Sequence, residues 1–132
     1  MFLNRLKNEE KVAFLELAHY VARSDGSFSK DEKTTIETYC YEMQIDDIQY
    51  DEKNFELLKV LAIFENKMSQ KVLLLELMAL IYSDEKVASS EQKIIDTIVL
   101  SFGMNDSLAK VYLEWTKTIL SVSSQGMLLL EV

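Results

Sequence analysis

The chain has 132 residues, 48% hydrophobic and 27% charged, with no proline and three glycines. A chain of this length can bury roughly two-thirds of the surface its unfolded form exposes, so a single domain with its own core is expected, and the scarcity of helix breakers points to an all-α fold. The net charge of −8 argues against nucleic acid as a partner, because phosphate binding needs clustered Lys and Arg; cations or basic protein surfaces suit it better.

The chain opens with MFLNRLKNEEK, whose apolar run is too short for a signal peptide. A cytoplasmic protein is therefore expected, and Met1 to Lys7 reads as a short leading turn or helix. Asn8 to Ser24 places Val12, Leu15, Ala18 and Val21 at the spacing of an amphipathic helix, and Lys30 to Met43 repeats the pattern through Ile36, Tyr39, Cys40 and Met43. The acidic stretch IDDIQYDEK, residues 45–53, reads as a solvated loop able to steer basic partners. Asn54 to Phe64 is a linking helix, and Ser69 is the expected N-cap of a helix over Gln70 to Tyr82. Apolar side chains surround most of that helix, which places it at the centre of the fold, and Glu76 interrupts its apolar run at half a membrane span. A helix over Ser90 to Phe102 ends at Gly103, and Asn105 or Asp106 caps a last helix over residues 106–125. The final segment, QGMLLLEV, is too apolar to stand in water. It docks on the body, the favoured expectation, or meets another chain and makes a homo-oligomer.

A repeat runs through this order of elements. SDGSFSKDEKTTIETYCYEMQI, residues 24–45, returns 59 positions later as SDEKVASSEQKIIDTIVLSFGM, residues 83–104. Ser24, Asp25, Glu32 and Ile36 fall on Ser83, Asp84, Glu91 and Ile95. The expected architecture is thus a compact bundle of about six to seven helices with an internal duplication, its units spanning about 10–45 and 69–104.

Asp25 to Glu32 has the second half of an EF-hand loop, an Asp-Gly followed by an apolar residue and a closing Glu. The first half is missing, since Val21 and Arg23, or Leu80 and Tyr82 in the second unit, stand where oxygen ligands are required. Ser29…Glu32 is equally a capping box, in which hydroxyl and carboxylate satisfy free amides at a helix start. In the second unit Ala88 has replaced that Ser while Glu91 persists. If the two corners met, Asp25, Glu32, Asp84 and Glu91 would repel one another unless a cation relieved them, and hard oxygen ligands select Ca²⁺, Mg²⁺ or Mn²⁺.

These two helix–corner–helix units, with LAHYVARSDGSFSKDE the better and LMALIYSDEKVASSE the weaker match, resemble the tellurite-resistance TerB-like family over roughly residues 10–120. The resemblance implies a compact all-α fold with an internal duplication. It also implies a role in stress-linked complexes near the cytoplasmic face of the membrane, with peripheral association there. Its metal-binding acids would be Asp25, Glu32, Asp84 and Glu91 in this chain. Glu85 stands where the first corner has Gly26, which would strain a turn that needs positive φ.

The remaining signals are structural ones. His19, the single histidine, lies beside an apolar stripe with no nucleophile or second histidine at a useful spacing, and Cys40 reads as a small buried hydrophobe. No phosphate loop or nucleophile elbow is present, so an enzyme is not expected. Tyr112, Trp115 and Ile119 form a stripe that packs the last helix on the core or offers a groove to a partner helix. Two readings follow: a TerB-like protein that binds or senses a divalent cation, or a non-catalytic acidic helical interaction module without a metal site.

Overall fold

The computed structural model describes residues 1–24, 26, 28–82 and 89–132. Among them it has a 3-10 turn, Leu3–Arg5, and six α-helices: α1 Asn8–Arg23, α2 Lys30–Met43, α3 Leu57–Leu61, α4 Lys67–Tyr82, α5 Ser89–Ser101 and α6 Asp106–Glu131. No described residue is in a strand, and the fold is all-α as composition requires.

Helix α4 has apolar residues around nearly its whole circumference, so it must be enclosed. It packs against α1, α5, α6 and the 3-10 turn, and Leu73, Leu74, Leu77 and Ile81 are almost completely buried. Helix α1 brings Phe14, Leu17, Ala18, Val21 and Ala22 to the same core, an i, i+3, i+4 stripe, and packs on α2 and α3. Phe14 meets Tyr39 of α2 edge-on, with ring centroids 5.2 Å apart.

Three carboxylates, the buried Glu76 and Glu10 and the half-buried Glu42, tie the first residues and the start of α1 to this core. Glu76, 5% exposed in the middle of α4, accepts from the Phe2 amide at 2.7 Å and from the Met1 ammonium at 2.9 Å. Glu42 of α2 takes the same ammonium at 2.8 Å and the Leu3 amide at 2.9 Å. Glu10, 2% exposed, accepts from the Lys7 amide at 2.8 Å and the Ser69 hydroxyl at 3.0 Å, joining α1 to α4.

The Ser69 contact corrects the expected start of α4. The helix begins at Lys67, where the Asn66 side-chain oxygen accepts from the Met68 amide at 2.7 Å, and Ser69 faces inward. Helix α3 is shorter than the expected 54–64. Phe55 stacks on Tyr20 at 4.5 Å ahead of the helix, while amides of Ile63 and Phe64 bond three residues back and tighten the chain into a turn.

The expected docking of the apolar tail is also overturned. Met127 to Leu130 form the last turn of α6 and are 63–83% exposed. Gly126 costs a helix only about 1 kcal/mol relative to Ala, too little to end one that nothing else interrupts.

Helix boundaries fall on the register of the sequence repeat. Asn8–Arg23 and Lys67–Tyr82 are offset by 59, as are Lys30 and Ser89. Shortly past the last residues of α2 and α5, Met43 and Ser101, stands a residue of positive φ, Gln44 at 57° and Gly103 at 62°. The next amide closes back in both, Ile45 to the Cys40 carbonyl at 3.1 Å and Met104 to the Val99 carbonyl at 3.0 Å.

Replacing Glu76 with Gln tests the tie between α4 and the N-terminus. Burial disfavours the charged Met1 amine, but the Glu42 and Glu76 bonds outweigh it and raise its pKa above 8.0. A raised pKa gives stability that is complete below the unfolded value and is lost as pH rises through the folded one. Urea unfolding should therefore show Glu76→Gln less stable than native by about 1–3 kcal/mol at about pH 7, with a gap that narrows as pH rises past the amine's ordinary value of 8.0. A constant gap would contradict the ammonium's part in the tie.

Candidate functional site

The first corner follows from local chemistry. Helix α1 closes when the Ser24 hydroxyl donates to the Val21 carbonyl at 2.8 Å, and Gly26 turns the chain at φ +88° with its amide 3.0 Å from the Arg23 carbonyl. Helix α2 then opens on the expected capping box: the Glu32 amide donates to Ser29 Oγ at 3.1 Å and the Ser29 amide to Glu32 Oε1 at 2.9 Å. One Glu32 oxygen is thereby committed to the helix start.

Of the four acids expected to hold a cation, Asp25 and Asp84 lie outside the described residues. Glu91 is in the first turn of α5, where its charge, after burial and Asp96, helps hold the Tyr82 phenol above its ordinary pKa. Among the described residues no group of three His, Cys, Asp or Glu side chains could hold a metal ion. The flanks of the two corners nevertheless come together. Ser24 at the end of α1 and Ser90 at the start of α5 line one cleft of about 420 Å³ with Tyr20, Arg23, Tyr50 and Ile94.

Beside the first corner lies a polar cluster that the sequence pattern does not reveal. His19 is 4% exposed, with Arg23 Nη1 2.6 Å from its Nδ1 and Asp47 Oδ1 2.9 Å from its Nε2. A guanidinium can only donate, so Nδ1 accepts; the neutral ring then carries its proton on Nε2 and donates to Asp47. Arg23 lies over Phe28 at 4.0 Å and over Tyr50 at 4.9 Å, and the His19 ring stacks on Tyr50 with centroids 5.6 Å apart. These contacts clamp the 45–56 loop to α1. Asp47, read from sequence as part of a solvated acidic run, is one jaw of that clamp.

Cys40 is buried as expected, and burial followed by the Asp47 and Asp46 charges pushes its thiol up to about 11. It is held as the unreactive thiol at neutral pH.

A second concave region lies between α4, α5 and α6. Helices α4, α5 and α6 enclose a groove of about 770 Å³ whose walls are mainly apolar, with Met78, Ile95, Val99, Met104 and Leu113, and also carry Asp96, Asp106 and Lys110. Leu100 lines it while 82% exposed. Trp115 is half in contact with the body, tilted against Phe2 at 6.0 Å and still 41% exposed, whereas Val111 and Val122 face outward at 60% and 55%. Exposed apolar surface is thus concentrated on α6 and around the groove.

Asp47→Ala should leave the buried Nε2–H of His19 without its acceptor and release the loop, lowering unfolding free energy by about 1–3 kcal/mol in urea titration. Loss below a few tenths of a kcal/mol would show that the clamp does not hold the loop.

Comparison with protein-family models, with curated proteins and with solved structures found no match to this chain.

Proposed function

We propose that the chain is a non-catalytic helical interaction module whose binding element is the last part of α6. The observation that supports this reading is the exposure of Met127, Leu128, Leu129 and Leu130, at 63–83%, on a helix that has left the body. Consecutive apolar side chains in water carry a hydrophobic penalty of about 1.5–3 kcal/mol each that contact with another surface removes. No described helix is long and apolar enough to cross a membrane. A photoreactive residue at Leu129 should crosslink to protein, self or other, far more than one at Tyr41, which is 87% exposed on α2. Equal yields from both positions, or none from Leu129, would refute the reading.

A second reading, a TerB-like divalent-cation site on Asp25, Glu32, Asp84 and Glu91 serving a stress-linked complex, is favoured by the cleft that Ser24 and Ser90 share. Coincidence of helix boundaries with the 59-residue register supports the duplication on which that resemblance rests. With Ca²⁺, Mg²⁺ or Mn²⁺ this site would give calorimetric heat and a thermal shift that Asp25→Asn/Glu32→Gln abolishes. Absence of both signals at millimolar metal would remove it.

A further inference from the structure

The geometry of α6 points to a specific occupant. We propose that the α6 tail of one copy seats in the α4–α5–α6 groove of a second copy, reciprocally, to form a twofold dimer. This rests on the interaction-module reading and names its partner.

The first argument is reach. From Leu113, which lines the groove, to Met127 the helix rises on the order of 21 Å at about 1.5 Å per residue. While α6 stays helical, the tail is carried away from its own groove. A tail and a groove that cannot meet within one chain can meet between two.

The second argument is shape. Met127, Leu128, Leu129 and Leu130 are consecutive, and at about 100° per residue they cover roughly 300° of the helix circumference. A flat helix face would shelter only part of that surface. A groove with mainly apolar walls on three helices shelters much more, and the α4–α5–α6 groove has that form around its few charged side chains, Asp96, Asp106 and Lys110.

The third is charge. Residues 118–130 contain no charged side chain, in a molecule whose net charge is −8. Two such molecules repel wherever their acids approach, and the uncharged tail is where a second copy meets least repulsion. A basic peptide finds no acid to pair with along these residues. An anionic bilayer finds no Lys or Arg there, whereas interfacial membrane helices are rich in both.

The fourth is area. Burying a Leu-sized side chain removes on the order of 100 Å² from water. Four such side chains, matched by the groove walls and doubled by the twofold axis, remove on the order of 1,600 Å², within the ~1,200–2,000 Å² of a stable interface.

Sedimentation velocity of the full chain over a wide concentration range tests the proposal. The native chain should form a dimer, and Leu129→Asp in the tail or Leu100→Glu in the groove should each weaken association at least tenfold. Both positions are strongly exposed, at 74% and 82%, so circular dichroism should show unchanged helix content in either variant. Mixing the two variants should restore part of the dimer, because the intact tail of the groove variant fits the intact groove of the tail variant. A native chain that is monomeric throughout overturns the proposal. So does loss in Leu129→Asp with native behaviour in Leu100→Glu, which would mean tail-to-tail pairing. A monomer whose Leu129 position crosslinks to other proteins overturns self-pairing alone; a monomer with no such crosslinks overturns the interaction reading with it.

Discussion

Enclosure of α4 is the constraint on which the rest of the structure depends. A helix apolar on nearly every face cannot border water, so α1, α5, α6 and the 3-10 turn are drawn around it. Its length then sets the size of the body. At about 1.5 Å per residue, the 16 residues of α4 span ~24 Å whereas the 26 residues of α6 span ~39 Å, so α6 overshoots. The exposed tail is thus a consequence of unequal helix lengths, and the apolar sequence of the overshoot makes it a contact surface.

Polar groups inside this core are placed where they join elements. Glu76 would be costly in the most buried helix without partners, and the first two backbone nitrogens supply them. Glu10 does the same between α1 and α4 through Ser69. Among the described residues no buried side-chain nitrogen or oxygen lacks a hydrogen-bond partner. The core is therefore specified by polar register as well as by packing.

Much of this was legible in the sequence because it depends on local chemistry. The spacing of apolar residues located α1, α2 and α5 to within a residue or so, the Ser29…Glu32 box marked the start of α2, and Gly103 marked the end of α5. What was not legible depends on distant partners. Asp47 and His19 are 28 positions apart, and nothing in an acidic loop sequence shows that one of its carboxylates faces a buried ring. Glu76 looked like an interruption because its partners lie 74 and 75 positions away. Ser69 has the composition of a cap, and only the arrival of Glu10 shows that it turns inward. The tail departs from expectation for a related reason: hydrophobicity says that a segment needs cover, but not that the body ends before it. Of the candidate cation ligands, the role of Glu32 as a cap was readable, and whether the acids meet is a question of tertiary placement that no spacing rule answers.

Two regions of the molecule therefore have different characters. The first corner and the His19–Asp47 clamp are polar, aromatic-walled and internally bonded, whereas the groove and the α6 tail are apolar and open. The proposed interaction makes the tail a helical element that stands off its own body and is covered by another chain. Hydrogen exchange of the Met127 to Leu130 amides as a function of protein concentration tests it most directly. Strong protection in concentrated solution that disappears on dilution is the expected result. Protection unchanged on dilution would place the tail on its own body, and absence of protection at every concentration would leave it uncovered; either result would contradict the account.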